Sequence, residues 1–468
     1  MMANPPYVSI PACGPPAGRH HSAGVTLILT AAVAALGGLL FGYDTSVISG
    51  AMLFLRTDFH LSDVQLEFAV GIALAGALAG SALAGYAADC WGRRRVLLAT
   101  GVGFGAFSLL SGLASGLVSF SAARFCVGAC IGVASLVTPL YLAEMSPARI
   151  RGALVSLNQL AITVGIVAAY FVDFALAGGR DWRWMFMTAL FPAAILVTGM
   201  LFLPETPRWL ARQGMQEQAL EGFHRLGRGH EAEAELLEVE QALREEEEGL
   251  GVLFQPGFRL AVLVGVGLAI FQQITGINTI IYYSPEILRL SGYPSAKAAL
   301  LAAAVIGVAN VLVTIVSILL VDRLGRRFLL LLGSAGMAAA LALMGAAFHR
   351  QAAGVVVFGE MISYIVFFGI GLGPVVWLLI SEIYPTKIRG QAMSLATLSL
   401  WGANAVVAGT FLSLIRAAGP AGTFWIYSFI CVLCFVFCFA LVPETKGKSL
   451  EAIERHWRHR AEKSAYPA

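Results

Sequence analysis

The sequence predicts an all-α integral membrane protein with twelve transmembrane helices in two related six-helix halves, separated by a helical insert. Three observations lead to this prediction: the composition, a series of long apolar segments, and a repeat of short charged motifs. Of the 468 residues, 58% are hydrophobic and only 13% are charged. Soluble domains carry about 25% charged residues, and a water-soluble chain of this length could not bury so much apolar surface. The composition therefore argues against a soluble enzyme, a disordered chain and a secreted disulfide scaffold.

The apolar segments define the predicted helices. A helix needs about 20 apolar residues to cross a bilayer. Residues 298–321 and 417–443 contain no charged side chain. The full scan gives twelve predicted spans: 25–50, 66–87, 96–117, 119–143, 153–174, 185–203, 259–289, 298–321, 328–348, 354–383, 391–416 and 422–442.

Basic residues set the predicted orientation. Arginines and lysines cluster after spans 2, 4, 6, 8, 10 and 12, which places those ends and both termini on the cytoplasmic side. The predicted organisation is a disordered cytoplasmic tail (1–24), an N-terminal half (25–204), a cytoplasmic helical insert (205–258), a C-terminal half (259–443) and a second tail (444–468). The insert is rich in glutamate and is interpreted as a gate latch or partner site, or as a solvated linker.

Nucleic acid and metal ions are not predicted partners. The net charge of +3 is small, and no basic run is long enough to follow a phosphate backbone. Cys431, Cys434 and Cys438 have the spacing of a metal box on a helix, but no histidine or acid lies among them. We interpret them as small packing residues of an apolar helix.

Charged motifs repeat between the two halves. GYAADCWGRRR (85–95) parallels ILLVDRLGRR (318–327), YLAEMSPARIRG (141–152) parallels LLISEIYPTKIRG (378–390), and LPETPR (203–208) parallels VPETKG (442–447). The matches occur in one order at a nearly constant offset, because Asp89 precedes Asp322 by 233 residues and Glu144 precedes Glu382 by 238. Two such halves around a midplane site are the architecture that alternating access uses.

The repeated charges form a candidate cytoplasmic gate. Glu144 and Arg151 are seven residues apart and would share a helical face if the helix continued, and Glu382 and Arg389 repeat the spacing. Such charges could pair across the cytoplasmic face in one conformation and separate in the other; the alternative is topogenic charge with weak surface pairs. The candidate gate consists of Asp89, Arg93, Arg94, Glu144, Arg151, Glu205, Asp322, Arg326, Arg327, Glu382, Arg389 and Glu444.

Neutral polar residues inside the spans form a candidate binding site. Polar groups in hydrocarbon cost free energy and often mark a pathway. Span 7 carries Gln272, Gln273 and Asn278 around Gly276, which we expect to interrupt the helix, and Tyr282 shares a face with Asn278. Carboxamides both donate and accept hydrogen bonds, as the hydroxyls of a polyol require, whereas an anionic substrate would need an intramembrane base. The alternative is that these amides hold neighbouring helices together.

An acid and a base lie at the same predicted depth. Asp44 is about 19 residues into span 1, or about 28 Å along the helix, near its outer end. Arg124 lies one to two turns below the outer end of span 4, so the two side chains could pair. Desolvation raises a carboxyl pKa and a nearby arginine lowers it, so an acid that alternates between these settings can carry a proton. The alternative is a structural ion pair near the outer surface.

The motifs resemble the sugar porter family of the major facilitator superfamily. FGYDTSVISGA (41–51), PETPR (204–208), QQITGINTIIYYSP (272–285), GPVVWLLISEIYPTKIRG (373–390) and PETKG (443–447) occur in the family's order. The resemblance implies sugar contacts at Gln159, Gln272, Gln273, Asn278, Asn310 and Trp377, and a cavity lined by Phe41, Tyr282, Gly373 and Trp401. It also implies that an Asp at position 44 with Arg124 accompanies proton symport.

Two positions depart from the family pattern. Leu400 replaces an amide that often precedes the span 11 tryptophan, so the identity of the transported sugar stays open. Cys90 replaces a basic residue that is usual in the first arginine loop. The resemblance implies a monomeric monosaccharide importer of the cell membrane, which uses the proton as coupling ion and needs no other cofactor. A proton-independent facilitator, a non-transporting sensor and, least favoured, a membrane enzyme are the alternatives. Glu360, inside span 10, is either a second titrating group or a hydrated acid.

Overall fold

The computed structural model describes residues 19–146, 151–226, 232–245, 250–255, 258–384, 388–446 and 457. Most of the two predicted tails, 1–24 and 444–468, therefore lies outside the described residues. The side chains of Arg151, Asp322 and Arg389, three members of the candidate gate, also lie outside them. Within the described ranges the chain is helical throughout, with short connections.

The described residues form eighteen α-helices. In the N-terminal half these are α1 (Arg19–Asp58), α2 (Asp63–Trp91), α3 (Arg93–Gly112), α4 (Leu117–Met145), α5 (Arg151–Leu176), α6 (Trp182–Met187) and α7 (Leu190–Phe202). The insert contains α8 (Pro207–Arg212), α9 (Gln216–Arg225) and α10 (Ala232–Glu245). The C-terminal half contains α11 (Arg259–Ile274), α12 (Ile277–Leu290), α13 (Ala296–Leu324), α14 (Arg326–His349), α15 (Gly354–Ile370), α16 (Leu372–Ile383), α17 (Arg389–Ala408) and α18 (Phe411–Leu441).

Eleven helical segments of the described residues are long and apolar enough to cross a membrane. The remaining predicted span, 391–416, corresponds mainly to α17, which has sufficient length but carries Gln391 and Asn404. Large apolar side chains on the outside of the bundle, including Phe202 and Leu319, are exposed, as expected for a surface that meets lipid. The prediction of an all-α membrane protein is confirmed.

Two faces of the bundle are distinguished by their connections. The connections after α2, α4, α7, α13, α16 and α18 carry the repeated motifs with arginine or lysine, and we call this end the arginine-rich face. The connections after α1, α3, α5, α12, α14 and α17 form the opposite face. Each long helix therefore runs from one face to the other, as the alternation of basic loops predicts.

Close helix contacts depend on glycine in the N-terminal half. Gly76 and Gly80 of α2 face α4, and Gly128 and Gly132 of α4 face α2. A Cβ atom on any of the four would overlap a backbone carbonyl of the other helix. Small residues that let helix backbones approach are the usual basis of packing in membranes, where no hydrophobic effect drives helices together.

Three spans of the described residues are broken at a glycine, and two of these breaks position the candidate site. Gly276 adopts a left-handed conformation (φ 96°) between α11 and α12, which confirms the predicted interruption. Gly371 separates α15 from α16 with φ −104° and ψ −89°. Gly419, followed by Pro420, kinks α18 with φ 70°. A broken helix exposes backbone carbonyls that side chains must satisfy, and this occurs where irregular backbone is buried in protein.

One predicted helix end is wrong, and the condition for a shared helical face at the charged motifs is not met. Span 11 was predicted to reach residue 416, but α17 ends at Ala408, and residues 411–418 belong to α18, because Thr410 leaves the helical conformation. The helices do not continue from Glu144 to Arg151 or from Glu382 to Arg389. Instead Ser146 and Tyr384 end α4 and α16 in extended conformation. Each precedes a proline, which disfavours the helical conformation of the residue before it.

Candidate functional site

Three amides cluster at the break between α11 and α12. Gln273 and Gln272 end α11, and Asn278 begins α12 on the other side of Gly276. Asn278 donates from Nδ2 to Gln273 Oε1 at 2.5 Å, and Gln273 Nε2 donates to Gln272 Oε1 at 3.3 Å. The left-handed Gly276 separates α11 from α12, and across this break Asn278 reaches back to Gln273, five residues earlier. The glutamines are buried and Asn278 is half-buried, so the chain of amides ends at accessible space.

Gln272 connects this cluster to the second broken span. Its Nε2 donates to the carbonyl oxygens of Leu372 at 2.8 Å and Gly373 at 3.1 Å. These carbonyls lie just after Gly371, where the helix is interrupted. Both amide hydrogens of Gln272 are thus used to hold α16, and Oε1 is its remaining hydrogen-bonding group. Trp377 follows one turn later on α16 and is half-buried.

Asp44 and Arg124 form a buried ion pair. Arg124 Nη2 donates to Asp44 Oδ2 at 2.8 Å, and Nη1 donates to Oδ1. Both residues are at most 3% exposed. The bidentate geometry is the strongest form of guanidinium–carboxylate hydrogen bonding. A small cavity next to the pair is lined by Tyr282 and Trp401, and Asn404 Nδ2 donates to Tyr282 Oη at 3.2 Å.

The other predicted site residues lie around this cavity or farther from it. Phe41 packs against Trp401 with ring centroids 5.3 Å apart, and Trp401 Nε1 donates to Ser135 Oγ of α4 at 3.2 Å. Gln159 on α5 is half-buried and Asn310 on α13 is buried. Leu400, the departure from the family pattern, is buried in the apolar core. Cys90 is exposed, and Glu360 is half-buried.

Polar contacts join the two halves at the opposite face. Glu67 of α2 accepts hydrogen bonds from the backbone N–H of Ser413 at 2.7 Å and from its hydroxyl at 2.6 Å. Arg416 donates to Asp63 at 2.7 Å. Below these contacts, Tyr170 Oη donates to the carbonyl oxygen of Ile281 at 2.7 Å. The structure is therefore closed on this side of the candidate site.

These opposite-face residues were not predicted from the sequence. Glu67 is an acid inside predicted span 2, and an acid at such a position could have indicated a functional contact. The Asp63–Arg416 pair had no comparable signal, because its members are 353 residues apart and outside the repeated motifs.

The arginine-rich face of the N-terminal half contains a network around Arg93. Arg93 Nη2 contacts Glu144 Oε1 at 3.1 Å and Asp89 Oδ1 at 3.2 Å. Glu205 accepts the backbone N–H groups of Arg93 and Arg94, the first two residues of α3. A carboxylate at a helix N-terminus satisfies donors that have no partner within the helix. Burial raises the pKa of Glu205, although the backbone N–H donors act in the other direction.

The C-terminal half repeats this network. Arg326 Nη2 donates to Glu382 Oε1 at 2.9 Å, and Glu444 accepts the backbone N–H groups of Arg326 and Arg327, the first two residues of α14, at 3.0 Å. Burial acts to raise the pKa of Glu444, but the N–H donors of Lys446 and the two arginines outweigh it and lower that pKa.

The networks differ from the predicted gate in their partners. The predicted gate charges contact one another within each half: Glu144 pairs with Arg93 and Glu382 with Arg326. The condition for a shared helical face with Arg151 and Arg389 is not met, because each helix ends before the second residue. The arginines of these contacts lie at the starts of α3 and α14, where they join helices of the same half.

The chain is similar to known proteins over nearly its whole length. Residues 30–457 match the family model described as "Sugar (and other) transporter". The arabinose-proton symporter of Bacillus subtilis is 37% identical over 94% of this chain and 97% of its own length. The galactose-proton symporter of Escherichia coli K12 is 38% identical over 91% of this chain and 93% of its own. An inward-open structure of the xylose transporter XylE from E. coli aligns with a TM-score of 0.80 at 35% identity, covering 92% of this chain and all of the other.

The chain belongs to the sugar porter family of the major facilitator superfamily. The match covers nearly all of the described bundle, and each relative is covered over more than nine-tenths of its length. The resemblance found in the sequence motifs is confirmed, and with it the prediction of a transporter fold rather than an enzyme.

Proposed function

We propose that this protein imports a monosaccharide together with a proton by alternating access across the cell membrane. The observation that carries the proposal is the buried Asp44–Arg124 ion pair beside the cavity that Tyr282 and Trp401 line. Two relatives over nearly the full length are an arabinose-proton symporter and a galactose-proton symporter. The positive-inside rule applied to the basic connections supports a cytoplasmic position for the arginine-rich face and both termini. All of the proposed site residues belong to one chain, which supports a monomer.

The sugar binds between the halves at the two helix breaks. Asn278, Gln273 and the remaining acceptor of Gln272 supply hydrogen bonds to hydroxyl groups, and Trp377 offers an apolar ring surface to the C–H face of the sugar. Gln159 and Asn310 contribute amides from α5 and α13. Phe41, Tyr282, Gly373 and Trp401 complete the wall. Gln272 has a second role, because it fixes the position of α16 relative to α11.

Proton binding alters the ion pair at Asp44. The ionised carboxylate accepts two hydrogen bonds from Arg124, and a proton on Asp44 removes the charge that holds them. The neutral acid and the released guanidinium then favour a different helix arrangement. One charge moved through 100 mV is worth about 2.3 kcal/mol, which would sustain roughly a 50-fold sugar gradient. The proton is the coupling ion, and no other cofactor is required.

Asp44→Asn tests the coupling. In proteoliposomes with an imposed proton gradient, we expect concentrative uptake to fall to the equilibrium level, since asparagine cannot bind a transported proton. Exchange of labelled sugar across the membrane should persist within about tenfold, because exchange needs no net proton movement. Glu360→Gln is the matched control, as it also replaces an intramembrane acid by its amide, and it should accumulate sugar like the wild type.

Accumulation by the Asp44→Asn variant would contradict symport and favour a facilitator. Loss of both accumulation and exchange with an intact fold would contradict the proposed division between coupling and binding. The substrate is identified by thermal stabilisation with a panel of pentoses, hexoses and inositol. A sugar at about 100 times its dissociation constant adds about 2.7 kcal/mol to the stability of the folded protein. Asn278→Ala should lose that stabilisation, and retention of it would place the sugar elsewhere.

A further inference from the structure

A second buried carboxyl lies on the opposite-face side of Asp44. Asp173 of α5 is 0% exposed. Its Oδ2 accepts the backbone N–H of Gly50 on α1 at 3.1 Å, and its Oδ1 has no hydrogen-bond partner among the described residues. Gly50 follows Asp44 by six residues, or about 9 Å along α1 toward the opposite face. The proposed mechanism makes no use of Asp173.

The surroundings of Asp173 contain no compensating charge. No described basic side chain forms an ion pair with it, whereas Asp44 has Arg124. Tyr43 of α1 and Tyr170 of α5 are titratable groups close to Asp173. The basic side chains on the elements around it that lie toward the same face include Arg56 of α1, Arg124 of α4, Arg183 of α6, Arg289 of α12 and Lys297 of α13. Arg124 is held by Asp44, Arg56 by Asp63 and Arg289 by Glu286, whereas Arg183 donates to backbone carbonyls and Lys297 lies over the Phe174 ring.

This setting suits a neutral carboxylic acid and opposes a carboxylate. One backbone donor does not replace the hydration of a charged group, and an unpaired charge in a membrane interior costs several kcal/mol. A protonated Oδ1 would instead present an O–H donor where the structure has an orphan atom. Ser46 Oγ, one turn before Gly50 on α1, is also buried without a hydrogen-bond partner. Asp173 and Ser46 thus offer unsatisfied polar groups on the two sides of the α1–α5 contact.

We propose that Asp173 is a second proton-binding site, whose protonation is required for the two halves to close at the opposite face. The inference rests on the proposed function. In the closed arrangement described here, contacts such as Glu67–Ser413 and Asp63–Arg416 seal this side and Asp173 is neutral. When these contacts separate, water reaches the carboxyl and its proton leaves to that side. Closure takes a proton back from the same side, so the site gates the cycle without adding to the transported charge.

The test is made in the Asp44→Asn background, which removes the proposed coupling site. We measure sugar exchange in proteoliposomes at equal pH on both sides, from about pH 6 to about pH 9. Exchange by Asp44→Asn should fall by about tenfold or more as the pH rises, because closure then requires a scarcer proton. Addition of Asp173→Asn, a permanently neutral near-isostere, should keep exchange within about twofold over that range.

Two matched double variants identify the titrating acid. Asp44→Asn with Glu360→Gln should keep the fall with pH, since Glu360 is half-buried and outside this contact. If Asp44→Asn with Glu67→Gln abolishes the fall and Asp173→Asn does not, then Glu67 is the gating acid and the proposal is wrong. Exchange by Asp44→Asn alone that does not depend on pH would also overturn it. Neither result would affect symport, which depends on accumulation by the wild-type protein.

An infrared measurement tests the neutral state of Asp173 directly in the wild-type protein. The carbonyl stretch of a protonated aspartic acid differs from that of a carboxylate and shifts when aspartate carries ¹³C. Labelled wild-type protein should show this band at neutral pH, and the band should be missing from Asp173→Asn but present in Asp44→Asn. Absence of a protonated aspartate band from the wild type would overturn the proposal, even if the Asp173 variant failed to fold.

Discussion

The two arginine-rich networks are built from the same contacts but differ in burial. In each half an arginine at the start of a helix contacts a glutamate from the end of another helix, and a second glutamate accepts two backbone N–H groups of that arginine helix. A threonine also donates to the first glutamate in each case: Thr206 to Glu144 at 2.5 Å and Thr445 to Glu382 at 2.6 Å. The repeat therefore extends to individual hydrogen bonds.

The insert accounts for much of the difference. Trp209 of α8 donates from Nε1 to the carbonyl oxygen of Asp89 at 2.8 Å, and Arg212 contacts the Asp89 carboxylate at 3.0 Å. This short helix covers the N-terminal network, whose Arg93 and Glu144 side chains are 5% and 4% exposed. The corresponding C-terminal pair is 11% and 22% exposed. Because the two networks have the same contacts but different solvent exposure, the same substitution should reduce stability by different amounts in the two halves.

Removal of the central arginine should have the largest effect. Arg93→Ala leaves Glu144 charged and buried, and breaking a buried ion pair in this way costs about 3–5 kcal/mol. Arg326→Ala should cost less, about 1.5–3 kcal/mol, because water reaches Glu382. Thermal unfolding of the purified variants measures both. The exposed neighbours provide controls, since Arg95→Ala and Arg323→Ala should each change stability by at most about 0.5 kcal/mol. Equal losses for Arg93→Ala and Arg326→Ala would show that burial does not distinguish the networks.

The existence of these networks could be predicted from the sequence, but their partners could not. The constant offset between motifs identified the repeat, and basic residues identified the face. A shared helical face for Glu144 and Arg151 depends on a continuous helix, and Pro147 in the sequence argues against one. Arg93 is a better partner only because α2, α3 and α4 meet in space, and that depends on glycine contacts between helices rather than on the local sequence.

The candidate site shows the same division between local and long-range information. The break at Gly276 and the polar cluster around it were visible locally, because polar amides and a glycine interrupt an apolar span. The binding of Gln272 to the carbonyls after Gly371 joins residues about 100 positions apart and was not visible. Closure at the opposite face is a property of one conformation of the two halves. A sequence specifies all conformations of a transporter together, so it does not indicate which contacts form in one of them.

Alanine at the paired glycines tests the geometry of the networks, with a smaller expected effect. Gly92 and Gly325 have φ values of 91° and 89°, and a Cβ atom on either would overlap the carboxylate of Glu205 or Glu444. The unfavourable backbone conformation alone costs about 1–3 kcal/mol. Gly92→Ala should be the more destabilising, because the more buried Glu205 has less freedom to move. Gly402→Ala, whose Cβ would meet no atom within 4 Å, is the control for thermal unfolding. A larger loss at Gly325 would reverse the proposed difference in rigidity.

The smallest expected effect is a difference in pH dependence between the two capping glutamates. Burial raises the pKa of Glu205 above its ordinary value of 4.5, whereas backbone donors lower that of Glu444. A raised pKa means that the fold favours the protonated acid, so the contribution of Glu205 is present at low pH and is lost as the pH rises through its folded-state pKa. A lowered pKa means the reverse, so the contribution of Glu444 is present at neutral pH and is lost as the pH falls.

Glutamine substitutions measure these opposite slopes. Thermal unfolding is measured from about pH 7 to about pH 4. The Glu444→Gln variant should be less stable than the wild type by the largest amount at neutral pH, and the difference in stability should shrink on acidification. The stability of Glu205→Gln should instead fall relative to that of the wild type as the pH falls, because protonation of Glu205 then stabilises the wild-type fold. Gln218→Ala, at an exposed position of α9, changes no titratable group and should keep a constant difference from the wild type. Parallel slopes for Glu205→Gln and Glu444→Gln would mean that the insert covers the N-terminal network without changing the electrostatic environment of its cap. The burial difference between the halves would then be structural only, and the larger loss expected for Arg93→Ala would have to come from packing.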